Sequence, residues 1–159
     1  MTQNIDNLEA NCGFTQDDIV QAHGANFGAT CSKCGQKGDR EKLVEGIKTE
    51  TVYRCEQEGC NGPIKPDITF FGEGLPKCFP KACNEIKNKR PDLLIVIGTA
   101  LAVGPFNSVV NMISDKVPKV LINMENTAYN GFNFDNQKEF PNRILLQGKC
   151  DEVVHDICT

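Results

Sequence analysis

The sequence predicts an α/β protein: short apolar strands in a parallel sheet, crossed by helices, with a small four-cysteine metal-binding module attached. Three observations predict this. Residues 66–125 are enriched in Ile, Val, Leu and Phe, about half of which fall there, in runs with little polar alternation, as strands buried on both faces read. A helical repeat separates two of these runs, and four of the nine cysteines fall in residues 31–62, among Lys, Glu, Gly and Gln.

In chain order, the opening "MTQNIDNLEA" is a dense set of polar residues where a chain end normally frays. The cysteine module follows. "DITFF", "LLIVIG", "KVLINM" and "RILLQG" are then read as strands, bounded by Pro, Gly, Asn or Lys. A helix is expected over 81–90 after Pro80, with Lys87, Lys89 and Arg90 complementing the negative end of its dipole. In "GPFNSVVNMISDK", Pro105 suits a first helical position, and Phe106, Val109, Val110 and Ile113 keep the spacing of a core-facing helix. Strand, helix, strand in that order predicts a βαβ unit with a right-handed crossover. The Asn-rich stretch 126–142 reads as a long surface loop.

At 159 residues and 40% hydrophobic content the chain is long enough to bury a sizeable core. A net charge of −4 argues against a protein devoted to neutralising phosphates, so no direct nucleic-acid partner is expected. The longest apolar run, "LLIVIGTALAV", is about half of the ~20 residues that span a bilayer, so no membrane association is expected. With no secretion signal, the expected residence is cytoplasmic or nuclear, where cysteines serve as metal ligands or free thiols.

Cys31 and Cys34 form one close pair, and Cys55 and Cys60 a second with a wider gap. Two such knuckles present four soft thiolates to one ion, matching tetrahedral zinc, with iron as the other candidate. Four protein ligands leave no position for a reacting water, so one structural Zn2+ is expected. Cys12, Cys78, Cys83, Cys150 and Cys158 lack such pairing and read as free thiols.

Several stretches taken together resemble the sirtuin family of NAD-dependent protein deacylases. They are "TQNIDNLE", "AHG", the two cysteine pairs, "IKPDITFFGEGLP", "GTALAVGPF", "LINMEN" and "GKCDEVV", in family order over essentially the whole chain. The resemblance implies a Rossmann-like NAD-binding domain from 1–30 and 63–159, interrupted by a zinc module at 31–62. It implies a catalytic core that moves an acyl group from a protein lysine to ADP-ribose with release of nicotinamide. His23 then matches the general base, a role that suits an imidazole at neutral pH, and Asn4 joins it as a catalytic residue. Gln3, Asn4 and Asp6 match a segment beside the nicotinamide ribose. Gly98 and Thr99 match the turn at the adenosine side, Asn123 and Glu125 match ribose-binding positions, and Cys150 and Asp151 match a stretch near the adenine. Thr69, Phe70, Phe71, Gly72 and Glu73 match the strand and turn that pair with an acyl-lysine peptide. Taken alone, the Gln3–Asp6 cluster would serve equally as a turn or helix cap, and a His before Gly is commonly structural.

The chain departs from the family at Ala100, where a Ser is usual, at Thr69 and at Met124. Family members begin upstream of "TQNID" with a strand and a "GAGIS"-type phosphate-binding turn that this sequence does not contain, so the sheet is expected to miss its N-terminal strands. Exposed strand edges, weak NAD affinity and little or no turnover are therefore expected of these residues alone. A catalytically silent, zinc-containing acyl-peptide binding module is the competing reading.

Overall fold

A computed structural model describes residues 1–15, 17–127, 134, 136 and 138–159. The described chain forms two compact units, Met1–Pro80 and Lys81–Thr159.

The first unit is built on an antiparallel pair, β1 (Gly24–Cys31) and β2 (Ile64–Ile68), in which Ala29, Thr30 and Cys31 face Pro66, Lys65 and Ile64. Helix α2 (Arg40–Lys48) starts at Asp39, whose carboxylate accepts from the Glu41 and Lys42 amides and so satisfies two of the helix's orphan donors. Its Leu43 packs with Ala29, Cys31, Cys55 and Ile64 into a small core, against which Tyr53 and Cys60 lie. Helix α1 (Leu8–Asn11) is a single turn. The opening segment is fastened, contrary to the usual behaviour of a chain end. The Thr2 amide donates to the Val20 carbonyl and the Ala22 amide to the Thr2 carbonyl, both at 2.9 Å, forming a parallel bridge, and the Asn26 amide donates to the Ile5 carbonyl.

The second unit is a three-stranded parallel sheet in the order β3 (Leu94–Ile97), β4 (Lys119–Asn123), β5 (Arg143–Gln147). The expected strand, helix, strand unit is present. The β3–β4 connection holds a 3₁₀ turn at Phe106–Ser108 and the short helix α4 (Val109–Met112), whose Val109 and Val110 are buried. Val96, Leu101, Val110, Leu121 and Phe134 form the core, with Leu94 and Leu145 packed on it. Burying a side chain such as Leu121, which has no exposed surface, stabilises by about 1.5–3 kcal/mol. Lys119 is 1% exposed. Its ammonium donates to the Val110 and Ile113 carbonyls at the end of α4 and pairs with Asp115, which also takes the Arg143 guanidinium at 3.1 Å. Helix α5 (Cys150–Cys158) follows β5 directly.

Four expectations need correction. The strand read at "DITFF" is Ile64–Ile68, antiparallel to β1 and outside the parallel sheet, because Gly72 at φ 88° and the Glu73 carboxylate close a turn over Phe70–Glu73. The helix expected from residue 81 is α3 (Cys78–Lys89), with Pro80 in its first turn, where a missing N–H costs nothing. The helix after Pro105 is shorter than its apolar spacing implies, since Ile113 is already extended. Finally, β3 is not buried on both faces: Ile95 and Ile97 are each about half exposed. Most of the predicted 126–142 loop lies outside the described residues. No helix among the described residues is long and apolar enough to cross a membrane.

Candidate functional site

The four paired cysteines converge. Cys31 ends β1, Cys34 lies in the turn after it, and Cys55 and Cys60 come from the loop ahead of β2. Their sulfurs lie within 4.8 Å of one another, with Cys31 to Cys60 at 3.6 Å and Cys34 to Cys55 at 3.7 Å. Those separations exceed a disulfide bond and match the edge, about 3.8 Å, of a tetrahedron with metal–sulfur bonds near 2.3 Å. The backbone is shaped to the sulfurs: a Cβ on Gly62 would lie 2.8 Å from the Cys31 sulfur. The Cys34 and Lys33 amides point at the Cys31 sulfur and, against the cost of burial, bring that thiol down to about 6. Cys34 has a Gln36 amide favouring its thiolate, yet the Cys60 sulfur and burial push it up to about 12. Four thiols this close cannot all ionise beside one another without a cation, and the cluster could hold a metal ion.

In the same unit, the His23 backbone and ring are both fixed. Its Nδ1 lies 3.2 Å from the Gln3 carbonyl oxygen, which can only accept, so Nδ1 carries the proton and Nε2 keeps its lone pair in the neutral ring. The His23 carbonyl accepts from the Thr69 amide at 2.8 Å, tying the histidine to the start of the Thr69–Glu73 turn. Gly24 is required between them. It adopts φ 72°, and a Cβ there would lie 2.2 Å from the Asp67 carbonyl oxygen.

The turn itself is braced from within. The Phe70 amide donates to the Glu73 carboxylate at 2.9 Å and the Glu73 amide to the Phe70 carbonyl. Lys65 pairs with Glu73 at 3.1 Å, donates to the Ile68 carbonyl, and lies 4.5 Å from the centre of the Phe70 ring. The Phe70 amide, then Lys65, hold the Glu73 carboxyl below its ordinary range. Phe71 is left fully exposed at the tip. Asn4 and Asp6 are exposed on the fastened N-terminal segment, where Asp6 also accepts from the Leu8 amide, closing a turn ahead of α1 whose N-cap is Asn7.

In the second unit, Gly98, Asn123 and Cys150 meet at one edge of the sheet, the C-terminal ends of β3, β4 and β5. The Gly98 amide donates to the Ile122 carbonyl at 3.0 Å, and the Cys150 thiol also reaches that carbonyl. Gly98 is exposed at φ 61°, and Thr99 turns its hydroxyl oxygen to the Leu101 amide. Asn123 donates to the Glu125 carbonyl at 2.8 Å. Sequence reasoning missed Lys65 and Asp67 as supports. Asp67 reaches Thr30 and, by an ion pair of 2.8 Å, Lys37 in the metal module, and these partners hold its carboxyl low against the cost of burial. The Lys-Pro-Asp run just ahead of the turn was the available signal.

A model of the Sir2 family matches residues 1–105. The chain is 38% identical over 157 residues to an NAD-dependent protein deacetylase of Caenorhabditis elegans, covering 99% of this chain and 23% of that protein. It is 40% identical over 160 residues to an NAD-dependent deacetylase of Dictyostelium discoideum, covering 98% and 31%. To an NAD-dependent histone deacetylase of Candida albicans it is 38% identical over 165 residues, covering 99% and 30%. The chain therefore spans less than a third of the length of these relatives. The family match over most of the chain, the relatives alike along nearly all of it, and the clustered cysteines agree: this chain belongs to the Sir2 family, the sirtuins.

Proposed function

We propose that the chain is part of the catalytic core of an NAD-dependent protein lysine deacylase, with one structural zinc ion on Cys31, Cys34, Cys55 and Cys60. The observation that carries this reading is the hydrogen-bonded series from Gln3 to His23 to Thr69, which joins a candidate general base to an exposed turn suited to a peptide. The NAD-dependent deacetylases to which the chain is similar support it.

The residues fit the roles asked of them. Zinc would be held by the four sulfurs and would lock the loops around β1 and β2 in place. NAD would be met on its adenosine side by Gly98, Thr99, Asn123, Glu125 and Cys150, a set of small and polar groups at the strand ends where open α/β sheets bind ligands. When bound, NAD supplies the ribose carbon that releases nicotinamide and takes up the acyl oxygen. Asn4 and Asp6 would orient that ribose through exposed polar side chains. His23 would take a proton from a ribose hydroxyl at Nε2, the nitrogen left basic by the Gln3 carbonyl. The peptide would pair along Thr69–Glu73 with its acyl-lysine beside Phe70 and Phe71. A reducing compartment, cytoplasm or nucleus, suits a zinc thiolate site.

A nicotinamide-release assay with NAD and an acetyl-lysine peptide tests the reading. Release that requires the peptide is expected, slow for residues 1–159 alone. Release indifferent to the peptide contradicts it. The intact peptide turn, braced entirely within its own unit, favours one second reading, a silent acyl-peptide binder; peptide binding unchanged by NAD, with no release, would select it.

A further inference from the structure

Gln21 meets both ends of the segment Thr2–Asn7. At one end its backbone is the bridge partner of Thr2, with hydrogen bonds of 2.9 Å on either side of it. At the other its side-chain amide donates to Asn7 Oδ1 at 2.8 Å, and both side chains are half-buried. Asn7 turns the chain there with φ 61°, a conformation Asn accepts more readily than most residues. The Asn26 amide holds the middle through the Ile5 carbonyl. Enclosed between these ties are Gln3, whose carbonyl fixes the His23 ring, and Asn4 and Asp6.

We propose that Gln21 is a positioning residue that clamps the Thr2–Asn7 loop and thereby holds His23 in its Nδ1–H form. The backbone bridge at Thr2 fixes only one end of the loop. Without the Asn7 contact the Asn26–Ile5 hydrogen bond alone holds the loop beyond Gln3, and each time it opens the Gln3 carbonyl is free to turn away from the ring. An imidazole that loses this acceptor has no reason to keep its proton on Nδ1. The functional consequence, Nε2 left available as a base, rests on the proposed deacylase reading; the clamp itself does not.

Nitrogen-15 NMR of the zinc-loaded chain tests the clamp through the His23 tautomer and the hydrogen exchange of the Asn26 amide. The native chain is expected to show His23 protonated on Nδ1. Gln21→Leu is expected to give a mixture of tautomers and to speed Asn26 exchange roughly five- to tenfold, the scale of one neutral hydrogen bond. Asn7→Asp keeps the acceptor and is expected to behave as the native chain. Should Gln21→Leu fail to fold, judged from the Leu43 and Ile64 amides, Asn7→Gly removes the same contact at a backbone angle glycine accepts, with the same expected result. A native His23 protonated on Nε2, a Gln21→Leu or Asn7→Gly chain with native tautomer and exchange, or an Asn7→Asp chain that loses both, would overturn the proposal. Neither readout involves NAD or peptide, so failure of the deacylase reading leaves this result standing, and the reverse.

Discussion

The ring of His23 donates from Nδ1 to the main-chain carbonyl of Gln3 across 3.2 Å, so the first residues of the chain decide which nitrogen of the histidine is basic. If Nε2 is the general base, His23→Ala should lower deacylation of the peptide in any longer, active form of the chain by about 10²–10⁴-fold, the usual worth of such a group. Zinc content and thermal unfolding should be unchanged, since the ring is not among the core residues. Turnover surviving at native rates would remove His23 from the mechanism.

The sulfur cluster makes a separate forecast. Metal analysis of the purified chain should find one zinc per molecule, and Cys55→Ala should bring this close to zero. Because Cys31 and Cys55 also belong to the small core with Leu43 and Ile64, removing the metal should unfold α2 and loosen β1 from β2. Circular dichroism before and after a strong chelator measures this. Unchanged helix content would mean that the thiols support the module without a metal.

Gly24 offers a local test of how tightly His23 is held. Gly24→Ala should destabilise the chain by more than the about 1–2 kcal/mol that a left-handed backbone costs a residue with a Cβ, because the new methyl meets the Asp67 carbonyl. Gly13→Ala is the control: φ is 86° but nothing lies within 4 Å, so only the backbone cost applies. Denaturant unfolding of the two variants compares them, and equal losses would contradict the close approach.

Asp115 gives the acid dependence of the second unit. The Arg143 guanidinium, then the Lys119 ammonium, hold its carboxyl below the ordinary value of about 3.9. A carboxyl depressed in the folded state stabilises fully above its unfolded value and loses that contribution as pH falls through its folded one. Stability reported by the Val96 and Leu121 amides should therefore decline below about pH 4, and Asp115→Asn should flatten that decline. Lys119 and Arg143 keep their other contacts in the variant, so it should still fold.

What could be read in advance followed from what the residues had to do. β3, β4 and β5 were legible because apolar runs of that length have few other uses, and the cysteine pairs because a metal site fixes its ligand spacing. β1, "GANFGATC", was missed: its small and polar residues carry no alternation, and it is held by β2 and by the cysteine that ends it. α2 is hard to read because Leu43, Val44 and Ile47 are its only large apolar residues, among charged side chains and Gly46; the Asp39 cap was the available signal. α5 was read only as a binding stretch, although Asp151 and Glu152 supply an acidic first turn. The burial of Lys119 left no trace in the sequence, since a lysine opening a strand reads as its boundary.

On the proposed reading, Thr69–Glu73, tied to His23, receives an acylated lysine. The most direct measurement is an NMR titration of the zinc-loaded chain with an acetyl-lysine peptide and with the same peptide carrying unmodified lysine. Shifts of the Thr69, Phe70, Phe71, Glu73 and His23 amides are expected to saturate with the acetylated peptide and to stay small with the unmodified one. Equal responses to both peptides, or shifts confined to residues elsewhere in the chain, would contradict it.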